Sequence, residues 1–140
     1  MLSRDELDKQ IDAFLACQAF AVAGASEDPR KYGNKVFLCY LQNDRLAYPV
    51  NPKVETVLGH KAYRKLKDLP AGKNALSIIT PPPVTEVLVQ EAIDCGIKDI
   101  WMQPGAESAL SVRMAKEAGL NVIYGGPCLL VVLGYRESFG

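Results

Sequence analysis

Residues 19–26, Ala-Phe-Ala-Val-Ala-Gly-Ala-Ser, decide the fold. Five apolar residues without polar alternation stop abruptly at Gly24, the pattern of a short strand buried on both faces and closed by a tight turn. Outward from there, Val36, Phe37, Tyr40 and Leu41 recur at helical spacing, and residues 46–50 read as a second buried strand. Together they make one βαβ unit. Residues 76–79 supply a third strand, and Val84, Val87, Leu88, Ala92 and Ile93 form the apolar face of a helix. A fourth strand over 100–102, a helix over 110–118 and a fifth strand over 122–124 follow. Pro81-Pro82-Pro83 suits a first helical turn, and Gly96 and Gly119 stand where helices end. Upstream, Ser3 and Glu6 have capping-box spacing, and Leu7, Ile11, Phe14 and Leu15 share one face, which predicts a helix within residues 1–17. Strands alternating with helices imply a parallel sheet covered on both sides. The expectation is an α/β, Rossmann-like three-layer fold with five parallel strands in the order 3-2-1-4-5. Residues 54–69 read as a short edge strand and one short helix, and the tail 129–140 opens with an apolar run. No repeat or linker interrupts residues 1–140, which therefore read as one domain.

The composition narrows the partners. Lys plus Arg and Asp plus Glu both number 16, without a run of one sign, so neither nucleic acid nor an anionic membrane is a natural partner. Zero net charge leaves a homodimer open. Cys17, Cys39, Cys95 and Cys128 are widely spaced and His60 is the sole histidine, so no zinc spacing is present. Four reduced thiols, an acidic polar start and no apolar stretch of about 20 residues point to a cytoplasmic, soluble protein.

In an open parallel sheet, ligands bind beyond the carboxyl ends of the strands, where the strand order reverses. Those ends are Gly24-Ala25-Ser26, Asn51-Pro52-Lys53, Thr80-Pro81-Pro82, Gln103-Pro104-Gly105 and Gly125-Gly126-Pro127-Cys128. Gly24 allows close backbone approach, and the amides of the next helix would face a phosphate. The later glycines of the dinucleotide fingerprint are missing, and Glu27 and Asp28 must face solvent if an anion is to bind. Lys53 stands where an NAD site usually places a carboxylate, so a phosphorylated ribose fits better. Both coenzyme A, with its 3′-phosphate, and NADP, with its 2′-phosphate, satisfy that charge. Nowhere do a nucleophile, a base and an orienting group come together at a useful spacing, so no catalytic residue is assigned.

The ordered set Val22-Ala23-Gly24-Ala25-Ser26, Asp28-Pro29, Tyr32-Gly33, Pro49-Val50-Asn51-Pro52-Lys53, Pro81-Pro82, Trp101-Met102-Gln103-Pro104-Gly105 and Cys128 resembles the small stand-alone CoA-binding domain proteins. The likeness spans residues 18–130 and extends to the CoA-binding domain of the succinyl-CoA synthetase α subunit. It implies non-catalytic binding of coenzyme A or an acyl-CoA. Gly24, Ala25, Ser26, Asn51, Pro52 and Lys53 would hold the phosphorylated adenosine and pyrophosphate. Thr80, Pro81 and Pro82 would flank the crevice, and Trp101, Met102 and Gln103 would line it. The synthetase needs a further domain with a phosphorylated histidine, which His60 does not supply. Two other readings are an NADP-dependent oxidoreductase and a CoA-sensing regulator that docks on an acyl-CoA enzyme.

Overall fold

The computed structural model describes residues 3–72 and 74–137; Met1, Leu2, Lys73 and the end of the 129–140 tail lie outside the described residues. Helix α1 (Arg4–Leu15) is capped by the Ser3 hydroxyl, which accepts from the Glu6 amide at 3.1 Å. Strand β1 (Ala19–Ala23) is buried throughout, as its uninterrupted apolar run requires. Next come α2 (Tyr32–Gln42) and β2 (Ala47–Val50), then a two-strand hairpin of β3 (Thr56–Val57) and β4 (His60–Lys61). A 3₁₀ turn over Leu66–Asp68 leads to β5 (Asn74–Ile78), α3 (Pro82–Cys95), β6 (Asp99–Met102), α4 (Ala109–Glu117) and β7 (Asn121–Ile123). The chain closes with a π-helical turn over Leu130–Gly134. Among the described residues no helix is long and apolar enough to cross a membrane.

The fold class is the one expected, a parallel five-stranded sheet with helices on both faces. The strand order is different. The sheet runs β2-β1-β5-β6-β7, so the third long strand lies beside the first and not outside the second. Ala75, Leu76, Ser77 and Ile78 are all fully buried, and such a strand needs neighbours on both sides. The edge beyond β2 is occupied instead by one parallel bridge between Val50 and Tyr63. The region 54–69 thus supplies a separate hairpin, one bridge and a 3₁₀ turn in place of the edge strand and short helix expected there. Strand order reverses between β1 and β5, which pair in register from Ala19 with Asn74 to Ala23 with Ile78.

Alternation along β1 divides the core. Ala21 and Ala23 face one side with Leu76, Ile78, Leu88, Val89 and Met102, under α3 and α4. Phe20 and Val22 face the other with Phe14, Phe37, Tyr40 and Trp101, under α1 and α2. Each such large side chain contributes roughly 1.5–3 kcal/mol by leaving water. Trp101 is fully buried, sets its edge against Phe14 with ring centres 5.3 Å apart, and donates its indole N–H to the Pro127 carbonyl at 2.9 Å.

Two glycines fix how closely the layers approach. Gly24 has φ +92°, and a Cβ on it would overlap the Ile79 carbonyl. Gly33, in the first turn of α2, lies so near the β1 turn that a Cβ there would overlap the carbonyl oxygen of Gly24. Both obstacles are backbone atoms, so neither gives way cheaply. Gly33→Ala is therefore expected to destabilise the fold by about 1–3 kcal/mol through overpacking, read as a lower midpoint in urea unfolding with unchanged slope. An unchanged midpoint would show that α2 can retreat without cost.

Candidate functional site

The carboxyl ends of β1, β2 and β5, with the start of α2 and one face of α3, enclose a cleft of about 870 Å³. That volume is within the range of small-molecule sites. Gly24, Ala25, Ser26, Asn51, Pro52, Lys53, Thr80 and Pro81 all line it. Pro82 begins α3 beside the cleft without lining it.

Each of these residues is held by local chemistry. The Ser26 hydroxyl accepts the Asp28 amide at 3.0 Å, so it shapes the loop and does not cap α2. Asn34 donates to the Ser26 carbonyl at 2.9 Å, pinning the loop onto the helix that follows. The Asn51 side chain donates to the Ala25 carbonyl and accepts the Lys53 amide, both at 2.8 Å. It joins the ends of β1 and β2 and turns the chain toward Lys53. Lys31, the residue before α2, makes no side-chain cap, and the first-turn amides of Tyr32 and Gly33 have no partner inside the helix. They carry the positive end of the helix dipole toward the cleft.

The loop's carboxylates are each held by a donor of the protein. Glu27 turns onto the β3–β4 hairpin and accepts the Leu58 amide at 2.7 Å. Asp28 is gripped by Arg30 through two side-chain contacts of 3.0 and 2.9 Å and through the Arg30 amide, which together hold its carboxyl down at about 2. It stays ionised and paired at neutral pH. Four cations, Arg30, Lys31, Lys53 and Arg64, line the cleft with one acid, Glu91.

The opposite wall is apolar. Ile79, Val84, Val87 and Leu88 face the cleft, and Val84 and Val87 remain 47% and 60% exposed. Their helical spacing reads as a core face in the sequence, yet only Leu88, Val89 and Ala92 of this helix join the core as buried residues. Arg64 is the other residue whose role is invisible before folding. It belongs to a basic stretch in the sequence, and the short connection from β2 to β5 carries it to the cleft.

Trp101, Met102 and Gln103 are not brought to this cleft. Trp101 and Met102 are fully buried, one on each face of the sheet. Gln103 accepts the Leu129 amide at 2.8 Å and donates to the Cys128 sulfur at 3.4 Å, tying β6 to the carboxyl-terminal turn. It borders a separate hollow of about 260 Å³ that meets the main cleft at Ile79, Thr80 and Pro81. Cys128 lies behind Gln103, away from the main cleft. Burial, with Cys128 nearby, pushes the Cys39 thiol up to about 11. His60 stands on the hairpin with its ring edge-on to Phe37. Among the described residues no group of three His, Cys, Asp or Glu could hold a metal ion.

Comparison with known proteins agrees with this geometry. Residues 18–134 match the model of a family described as CoA binding domain. The α subunit of an ADP-forming acetate–CoA ligase from Pyrococcus furiosus is 40% identical over 92 residues, covering 64% of this chain and 19% of that protein. This chain therefore spans about a fifth of that relative's length. A conserved hypothetical protein from Pyrococcus furiosus superimposes with a TM-score of 0.78 at 35% identity, covering 82% of this chain and 98% of that one. A hypothetical protein from Pyrococcus horikoshii gives a TM-score of 0.82 at 30% identity, covering 89% of this chain and 87% of the other. With most of its length matched by the family model, and with a Rossmann-like cleft at the switch point of its sheet, this chain belongs to the CoA-binding domain family.

Proposed function

We propose that the cleft holds coenzyme A or an acyl-CoA without transforming it, gripping the phosphorylated adenosine end and leaving the thiol end toward the crest of β5 and β6. The observation that carries this reading is the convergence of the Gly24–Ser26 turn, the first-turn amides of α2 and the cations Lys53 and Arg64 on one cleft. Amides at a helix start suit a pyrophosphate, and two flanking cations suit a further phosphate on the ribose. The apolar wall of Val84, Val87 and Leu88 suits the adenine ring or the pantetheine chain. Backbone amides, prolines, aliphatic side chains and cations bind and orient an anion; they do not attack one. Four cysteines with no disulfide among them fit a reducing, cytoplasmic setting.

Lys53 and Arg64 would serve the 2′-phosphate of NADP as readily, so the decisive measurement compares ligands. Isothermal calorimetry is expected to give micromolar binding of CoA, weaker binding of dephospho-CoA and weaker still of NADPH. The absence of heat with millimolar CoA would sink the reading, and tight NADPH binding would replace it with the oxidoreductase.

Lys53→Ala and Arg64→Ala are each expected to weaken CoA binding by about 10–100-fold, the loss of one charge-assisted hydrogen bond of roughly 1.5–3 kcal/mol. Neither should alter dephospho-CoA binding, because the partner phosphate is missing from that ligand. Equal losses for both ligands would place the cations elsewhere on the molecule.

Trp101→Phe keeps the ring contact with Phe14 but leaves the Pro127 carbonyl without its donor. The expected result is a loss of about 1–3 kcal/mol in stability with CoA affinity unchanged. A drop in affinity at constant stability would return Trp101 to the binding surface.

A further inference from the structure

The binding of an anion leaves one acid of the cleft without a task. Glu27 and Asp28 are tied to donors and do not line the cleft. Glu91 does line it, yet its carboxylate makes no hydrogen bond and no ion pair among the described residues. On one side it shares the cleft with Arg64, and on the other it shares a hollow of about 370 Å³ with Lys65, Lys67 and Asp94. None of these cations comes close enough to pair with it. A carboxylate in the wall of an anion site repels the ligand unless it meets one of the ligand's own donors.

The position of Glu91 selects that donor. Val84, Val87, Leu88 and Glu91 follow one another at helical spacing along α3 and share the face that lines the cleft. The first three form an apolar strip about 6 Å long, beginning near the strand end at Thr80 and Pro81, and the carboxylate closes it one turn further down. An apolar strip that ends in an acceptor complements a flat ring with N–H groups on its far edge. Where phosphates occupy the α2 amides and the cations Lys53 and Arg64, the donors of coenzyme A divide. Its ribose hydroxyl lies next to the 3′-phosphate, which repels a carboxylate. Its pantetheine amides and thiol lead away toward β5 and β6. The 6-amino group of adenine is the donor left for Glu91.

We propose that the adenine ring lies on Val84, Val87 and Leu88 and donates its 6-amino group to the Glu91 carboxylate, which makes Glu91 the residue that reads the base. This assignment rests on coenzyme A as the ligand of the cleft and adds the direction in which the nucleotide runs, down α3 from the strand ends. It gives the exposed Val84 and Val87 a ring to cover them, and it gives the unpaired acid a partner.

Calorimetry with two ligands and three proteins tests it. The ligands are CoA and its deamino analogue, in which hydrogen replaces the 6-amino group; the proteins are the unaltered chain, Glu91→Ala and Glu91→Gln. The unaltered chain is expected to bind CoA about tenfold or more tightly than the analogue, which leaves the carboxylate without its donor. In Glu91→Ala that preference should fall to within about twofold, with CoA weakened and the analogue bound as before or more tightly, because a negative charge has left the wall. Glu91→Gln keeps an acceptor and should retain a preference of about threefold or more. Binding of the analogue by both variants also shows that they are folded. Equal binding of the two ligands by the unaltered chain, or a preference that survives Glu91→Ala, overturns the proposal and leaves CoA binding itself standing. The absence of heat with millimolar CoA removes both together.

Discussion

The amino end of α2 rests on the turn after β1 with no room for a side chain between them: a Cβ at Gly33 would collide with the Gly24 carbonyl oxygen. Much of the molecule's chemistry depends on that contact. It aims the unpaired amides of Tyr32 and Gly33 at the space above β1, and it lets Asn34 reach back to the Ser26 carbonyl. A fingerprint glycine that looks absent from the loop is thus present in function, displaced nine residues beyond Gly24 by a longer loop that the helix start then compresses.

An anion site built on such a turn must deal with its own acids. Glu27 and Asp28 lie in the loop whose amides would face a phosphate, and either carboxylate pointing inward would cancel the field of the helix. Each is instead given a donor of its own, the Leu58 amide for one and Arg30 for the other, and neither carboxylate lines the cleft. The hairpin of β3 and β4 therefore does more than decorate the sheet edge, because it holds one of the two charges away.

The connection between β2 and β5 shapes the rest of the site. A full helix there would cover the sheet between α3 and the edge. The chain spends those residues on a hairpin, one bridge at Tyr63 and a single 3₁₀ turn, which leaves the flank of α3 open and delivers Arg64 to it. The same economy explains the strand order, since no long strand is left for the outer edge and the fully buried run 75–78 takes a central place.

Read alone, the sequence determined the period of each element, the turns that end them and the strand ends where a ligand would lie, because these follow from local hydrophobic spacing and from glycine and proline. It carried Gly24 through Ser26, Asn51 through Lys53, and Thr80 with Pro81 to the cleft by that logic. Strand order was not legible, since it depends on which segment can bear burial on both sides. Nor was the separation of Trp101 from the cleft, because a buried strand residue and a crevice residue share the same apolar neighbours in sequence. Tertiary packing alone decided that Val84 and Val87 remain exposed and that Arg64, eleven residues after Lys53, joins it at the cleft across a folded hairpin. Those are relations between elements, set by how closely backbones approach, and no local pattern of side chains records them.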